Sequence, residues 1–382
     1  MKITGVICEY NPLHLGHKKQ LDIIKAKNGA ESGIVCIMSG NFVQRGAPAA
    51  IHKSIRAKAA ILCGADLVLE LPVTAALSSA EGFAAEGVRL LSPVCHELCF
   101  GAETADGDAL TAIARTLLSP DFPPALRLQL EKGLSFPAAR QAALEALGTH
   151  GSMLTLPNNI LAVEYCKAIL AQNSPMKPFP IQRQGSYHDT AADPQNPSAT
   201  ALRQLIEKGE NWLDFVPKEA HGIFREATLH TKQAGERAVL AKLRTMTDAE
   251  FEAVPYGSEG LWRKLMRAAR RESTVEDIAC AVKSKRYTRS RIDRMILCAF
   301  LGLTEQDLCA PAPYARVLAF NDKGREILKT ARKHGSYPNI GEKIHDPYQE
   351  IENRCGALYG LFAADAPTAP NAEAAQRVYY HH

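Results

Sequence analysis

Short apolar runs alternate with longer amphipathic stretches through roughly the first two hundred residues. Ile3-Thr4-Gly5-Val6-Ile7-Cys8, Gly33 to Ser39, Leu67 to Leu71 and Glu97 to Phe100 are β-rich and apolar enough to be buried on both faces. Between them the pattern is helical: from Gly16 through Lys18, Lys19, Leu21, Ile23 and Ile24, then His52 to Cys63, then Ser78 to Leu91. Asn11-Pro12, Gly64-Ala65-Asp66 and Pro72 punctuate the alternation. Strands and helices in this order predict an α/β domain, a parallel sheet with helices on both faces. Ligands of such sheets sit beyond the C-terminal strand ends. Here those ends are Asn11 to His17, Gly40 to Gly46, Pro72 and Gly101 to Glu103, the loops richest in Gly, Asn and His.

From Asp106 to about Leu147 the pattern is helical, cut by Pro120, Pro123, Pro124 and Pro137. Pro157-Asn158-Asn159 opens another helix, and Ile181-Gln182-Arg183 ends the last strand expected. Gly185 to Pro197 reads as a polar loop, and Ser198-Ala199-Thr200-Ala201-Leu202-Arg203 as the next helix start. Beyond about Gly209 the alternation stops and the chain reads as mostly α-helical. The division expected is a nucleotide-binding α/β unit over 1–208 with a helical insertion at about 106–157, a helical unit over 209–365, and a loose tail over 366–382. Tyr314 to Phe320 and Asn321 to Arg325 read as a short apolar segment and a turn.

The totals narrow the class. At 382 residues the chain is long enough for two or three domains. No apolar run approaches a membrane span and the N-terminus lacks a signal-peptide layout, so a cytoplasmic protein without a membrane partner is expected. The ten cysteines are scattered and never form C-x-x-C. Cys95 and Cys99 alone are a weak metal signal, and buried free thiols in a reducing compartment explain the set. A net charge of +4 neither demands nor excludes nucleic acid.

The chemistry concentrates where the first strand hands over to the first helix. His14 and His17 stand three apart around Gly16, as H-x-G-H. A helix N-terminus offers unpaired N–H groups and partial positive charge, which suit phosphate oxygens. Imidazoles there can stabilise charge growing on an α-phosphate without acting as nucleophiles. Gly16 lets a base or ribose approach the backbone. A zinc pair would want further ligands at close spacing, and none follows; two incidental surface histidines are the other alternative. Ser198, Thr200 and Arg203 form a second phosphate-competent helix start, for which simple capping plus a solvated charge is the competing reading. Lys53 and Arg56, after the Gly40 to Gly46 loop, read equally as an anion site or as a solvated face.

Between Trp262 and Arg294 eleven basic residues face four acidic ones. Arg263, Arg267 and Arg270 share a helix face. Lys283, Lys285, Arg286, Arg289 and Arg291 surround Tyr287 and Thr288, an arrangement suited to a folded RNA backbone. An ordinary charged face would carry more balancing acids.

Several motifs fall together in order: GVICEYNPLHLGHK (5–18), MSGNFVQRGAP (38–48), GADLVLELP (64–72), Phe100 to Glu103, PNNILAVEY (157–165), RQGSYHD (183–189), SATALR (198–203) and SKRYTRSRIDR (284–294). In this the chain resembles the tRNA(Met) cytidine acetate ligase family of the H-x-G-H nucleotidyltransferase superfamily. Ala102 and Leu15 depart from the commoner serine and polar residue. The resemblance implies a Rossmann-like catalytic domain followed by a helical tRNA-binding domain. It implies ATP as substrate with Mg2+, acetate and elongator tRNA(Met) as partners, and no role for DNA. It also implies an ATP site made by Ile7-Cys8-Glu9-Tyr10-Asn11-Pro12-Leu13-His14-Leu15-Gly16-His17-Lys18-Lys19-Gln20 with Gly101, Asn158 (or its neighbour Asn159) and Arg183. Ser198 and Thr200 would add to it. His14, His17, Lys18 and Arg203 would be the catalytic group, and no resident metal ligand is expected. The expected product is N4-acetylcytidine at C34, made through acetyl-adenylate. A small-molecule nucleotidyltransferase that makes a cofactor or dinucleotide is the rival enzyme, and a non-catalytic RNA-binding protein the rival of another class.

Overall fold

The computed structural model describes residues 1–183 and 197–382. Nine strands are present among them: β1 (Ile3–Cys8), β2 (Gly33–Ser39), β3 (Phe42–Val43), β4 (Ala47–Pro48), β5 (Leu67–Leu71), β6 (Glu97–Ala102), β7 (Lys177–Gln182), β8 (Val317–Asn321) and β9 (Tyr379–His381). Seven of them form one sheet in the order β7-β6-β1-β2-β5-β8-β9, and β3 with β4 makes a small hairpin. The five strands from β7 to β5 are mutually parallel. The chain runs from β1 outward to β2 and β5, then returns to the other side of β1 for β6 and β7. The order therefore reverses between β1 and β6, and the crevice beyond their ends is where such a sheet binds ligands.

Period-two alternation sorts each strand into two cores. Ile3, Ile7, Val35, Ile37, Leu67 and Leu69 face one side. They pack against helices α4 (Ala80–Leu91), α5 (Gly107–Leu118) and α8 (Pro157–Ala171). Val6, Cys8, Ile34, Cys36, Met38 and Val68 face the other, against α1 (Leu15–Asn28) and α2 (Lys53–Leu62). The short α3 (Val73–Ala76) follows β5, α6 (Phe122–Glu131) and α7 (Phe136–Ala146) fill the insertion, and α9 (Ala199–Lys208) follows β7. A third core gathers the later helices, including Lys232–Thr245, Leu261–Ala269, Val275–Val282 and Arg289–Leu301. Phe42 of the β3–β4 hairpin, with Val73 and Leu77, belongs to this third core and so joins the two halves.

Two parts of the chain behave differently from the sequence expectation. The sheet is not confined to 1–208, because β8 pairs antiparallel with β5, and β9 pairs parallel with β8. Asp66 fixes this edge: its carboxylate accepts from Ile34 N (2.8 Å) and from Asn321 Nδ2 (2.9 Å). The 366–382 stretch, expected to be loose, contains β9 and places Glu373 2.5 Å from the Lys53 ammonium. Neither partner lies nearby in sequence, so no local pattern announces the pairing.

Candidate active site

β1 ends at Cys8, and α1 begins at Leu15 with His14 as its N-cap, in extended backbone conformation. The His14 Nδ1 accepts from Gly16 N (3.1 Å), and the His17 Nδ1 accepts from His14 N (3.3 Å). The two rings stack with centroids 3.7 Å apart, and Tyr10 meets His17 edge-on. With both Nδ1 atoms occupied as acceptors, each neutral ring carries its proton on Nε2 and keeps that N–H for a ligand. Burial, then the neighbouring His17 and the charges of Arg183 and Arg203, holds His14 well below its usual pKa; burial, then Arg183, brings His17 down to about 3. These are neutral donors, not cations. Gly16 serves this arrangement directly, since a Cβ there would lie 3.0 Å from the His14 ring. Gly16 also lines the cavity described next.

Both histidines line a cavity of about 420 Å³ bounded by the ends of β1, β6 and β7 and the start of α8. Arg183, Asn158 and Gly101 are brought together in it from three distant segments. The Asn158 Oδ1 accepts from Arg183 Nη1 (3.0 Å), and its Nδ2 donates to Glu103 (2.6 Å). The Glu103 carboxylate also accepts from the backbone N–H groups of Asn158 and Asn159, and so caps α8 in place of a local side chain. Asn159 is fully buried, and its side chain is used by Thr104. Asn158, not Asn159, therefore faces the cavity. Arg203 donates to the Asn11 carbonyl (2.9 Å) and to Thr200 Oγ1 (3.1 Å), while Ser198 caps α9. Burial lowers the pKa of both Arg183 and Arg203, which favours an anionic partner.

Within 7–20 the lining residues are Ile7 to Asn11, His14, Gly16, His17, Lys19 and Gln20. Leu13 is instead buried in the apolar core. Lys18 lies outside the lining, with its ammonium 2.5 Å from Asp22 one turn along α1. Residues 184–189 of the RQGSYHD motif, and the polar loop up to 196, lie outside the described residues.

Lys53 and Arg56 are corrected by the structure, because neither has a solvated face or reaches the cavity. Arg56 is wholly buried and donates to the carbonyls of Glu9 (2.5 Å), Ser39 (3.1 Å), Gly40 and Ile51 (2.8 Å). It clamps the loops after β1 and β2 together. The buried Lys53 ammonium sits 2.7 Å from Glu70 and 2.5 Å from Glu373.

A second cavity of about 510 Å³ shares the wall of His14, His17, Arg183 and Arg203. It extends past the hairpin to His230, Lys232 and Asp293. No motif in the sequence points to His230 or Lys232, and Asp293 stands in the basic stretch as one of its few acids. Gly46 brings the hairpin to this side: its φ is +75°, and a Cβ would lie 2.4 Å from Arg294 N.

The basic cluster is more balanced than its sequence window suggests. Arg289 pairs with Glu276 (2.5 Å) and Asp293 (2.8 Å), and Arg286 with Glu259 (2.7 Å). Arg291 holds the Tyr256 carbonyl (3.0 Å), whereas Lys283 and Lys285 are exposed. Glu259 lies outside the cluster itself, so its neutralising role appears only in three dimensions.

Four histidines, His14 and His230 buried and His17 and His52 half-buried, give a pH signature. Burial is the leading cause that holds His14, His17, His52 and His230 below the ordinary 6.5, the last at about 4. In the unfolded chain they take up protons near 6.5, whereas the folded chain binds none until far lower pH. Their contribution is complete above 6.5 and lost as the pH falls toward 4. Urea midpoints are expected to drop between pH 7.5 and pH 5; a midpoint that rises on acidification would contradict the buried, neutral rings.

Comparison with known proteins adds to this geometry. A model of the family described as HIGH Nucleotidyl Transferase matches residues 1–372. The chain is 37% identical over 358 residues to a Clostridium novyi protein named tRNA(Met) cytidine acetate ligase, covering 88% of this chain and 89% of that one. It is 36% identical over 388 residues to the Clostridium perfringens protein of the same name, covering 94% and 95%. The crystal structure of apo Thermotoga maritima TmcAL superposes with a TM-score of 0.89 at 29% identity, over 100% of this chain and 99% of that one. The same protein bound with alpha-thio ATP gives 0.87 at 29% identity, over 100% of both chains.

Proposed function

This chain belongs to the tRNA(Met) cytidine acetate ligase family of HIGH nucleotidyltransferases, and from that membership we propose that it activates acetate with ATP and transfers the acetyl group to N4 of the wobble cytidine, C34, of elongator tRNA(Met). The observation that carries the reading is the pair of stacked, neutral imidazoles at a helix N-terminus, facing the same cavity as two half-buried arginines.

A carboxylate is a poor acyl donor, so the reaction runs in two halves. Acetate oxygen first attacks the α-phosphate of ATP, giving acetyl-adenylate and pyrophosphate. Charge develops on the α-phosphate oxygens, and the Nε2–H groups of His14 and His17 are the donors fixed to meet it. Arg203, tethered to Asn11, stands where the leaving pyrophosphate needs a cation. Asn158 and Arg183 engage the nucleoside end. Among the described residues there is no group of three or more His, Cys, Asp or Glu side chains able to hold a metal. Magnesium would enter with the triphosphate, whose oxygens would supply its ligands. In the second half the N4 amine attacks the acetyl carbonyl and AMP leaves. An unpaired anticodon base leaves its stack cheaply.

Incubation with ATP, labelled acetate and a tRNA carrying C34 tests the reading. Label retained in N4-acetylcytidine is expected, and pyrophosphate release that needs a small phosphate instead of acetate would reject it. The RNA surface has its own test. Neutralising Lys285, Arg286 and Arg289 together is expected to raise the KM for tRNA about tenfold and to flatten its salt dependence, with acetate-dependent ATP–pyrophosphate exchange retained. A tRNA KM unchanged across salt concentrations would move the RNA contact elsewhere.

A further inference from the structure

Glu9 is the one carboxylate among the described residues that line both cavities. It shares that wall with His14, His17, Arg45, Arg183 and Arg203. A fixed negative charge beside a triphosphate is unfavourable, so the position calls for a cation or an N–H donor as partner. The carboxylate is well anchored: Gln44 N donates to Oε1 (2.8 Å), and the Glu9 carbonyl accepts from Arg56 Nη1 (2.5 Å). Among the described residues no hydrogen bond is made to Oε2.

The second cavity has the dimensions of a nucleoside site. One of its walls is Asp293, on the helix Arg289–Leu301, which also carries Arg289 and Arg291. It therefore adjoins the basic surface on one side and the imidazole pair on the other. His230 lines it as a flat ring, stacked on Tyr359 at 4.0 Å.

We propose that the second cavity receives the acceptor base and that Glu9, at the seam between the cavities, takes the proton its exocyclic amine gives up. The inference rests on the acetyl-transfer reading above. The amine lone pair forms a bond to the acetyl carbonyl carbon, and the carbonyl π pair moves onto oxygen. That pair returns as the bond to AMP breaks, AMP leaves with the bonding electrons as its phosphate anion, and the N–H proton passes to Glu9 and then to water. The same carboxylate selects cytosine, because an acidic side chain accepts from the N4 amine. Uracil would present an oxygen there and be repelled.

Glu9→Gln keeps the size of the side chain and its bond to Gln44. Two assays separate the half-reactions: acetate-dependent ATP–pyrophosphate exchange, and single-turnover transfer from preformed acetyl-adenylate to tRNA. Transfer is expected to fall about 100-fold further than exchange. Equal losses in both assays overturn the proposal and assign Glu9 to the nucleotide or its magnesium. Ala47→Leu crowds the second cavity from the hairpin and is expected to raise the KM for tRNA several-fold relative to that for ATP; an unchanged ratio overturns the location. If Glu9→Gln loses ATP-induced thermal stabilisation, Ala47→Leu decides. Wild-type protein that shows no acetate-dependent exchange would instead remove the acetyl-transfer reading itself.

Discussion

Replacing His17 with alanine is expected to reduce acetate-dependent ATP–pyrophosphate exchange about 10³-fold while leaving tRNA affinity almost unchanged. Removal of one preorganised donor from a developing oxyanion costs about 10²–10³ in rate. The upper end applies here because the ring does two things. It offers its own Nε2–H, and its Nδ1 holds the backbone of His14, the N-cap of α1 (3.3 Å). Loss of that acceptor also frees the stacked partner ring (3.7 Å). His17→Asn separates these effects: an amide oxygen can still accept from His14 N, but the shorter side chain places no N–H at the Nε2 position. It should remain nearly as inactive as the alanine variant while melting closer to wild type. Because burial keeps the ring neutral down to about pH 3, wild-type exchange should show no histidine titration between pH 5 and 8. Normal acetyl-adenylate production by His17→Ala would remove the imidazoles from the mechanism.

Lys53→Met should produce the largest loss of stability among single substitutions outside the cavity. The ammonium is 3% exposed and is the shared partner of Glu70 and Glu373. Burial alone would depress its pKa, but the carboxylates of Glu373 and Glu70 outweigh that and hold it above the ordinary lysine value. Glu70 is nevertheless pushed up to about 7, by burial and by Glu373 and Glu352, against the pull of Lys53. One ammonium cannot satisfy so many acids. Its removal strands buried carboxylates, a change that costs about 3–5 kcal/mol, read as a fall in the urea midpoint at pH 8. The sign with pH follows from the raised Glu70 value. Between about 4.5 and 7 the folded chain binds more protons there than the unfolded one, so this group's contribution rises as the pH falls. In the variant the stranded carboxyls take up protons more readily still. The deficit relative to wild type should therefore shrink between pH 8 and pH 5.5, and a deficit that widens would contradict the stranded-carboxylate account.

What could be read from the sequence depended on how local its cause is. β1, β2, β5 and β6 were legible because strands buried on both faces need continuous apolar runs; of the four strand-end loops these implied as ligand-binding, only the sheet order places the crevice at β1 and β6. The H-x-G-H turn was legible for the same reason, its cap and helix being a few residues apart. β8 and β9 were not, since what makes them strands is the open edge of β5 and the Asp66 carboxylate, far earlier in the chain. Arg56 read as an anion site or a solvated face because nothing in its helix reveals that four carbonyls converge on it. Glu103 capping α8, and Glu259 neutralising Arg286, are likewise contacts between segments that only folding brings together. Which of Asn158 and Asn159 lines the cavity is a matter of helical phase: Asn159 turns inward onto Thr104 and Asn158 turns to the cavity.

The antiparallel addition of β8 to β5 has a consequence for how this protein is made. On the ribosome, the N-terminal α/β half emerges with one margin of its sheet unsealed, and the missing strand appears only after the helices of the third core have been synthesised. A fragment ending at residue 208 would display the β5 margin to other chains and should self-associate. The late strand also ties the helical half back to the sheet at both ends, so the two halves hold a mutual orientation set by the backbone and not by a swivelling linker.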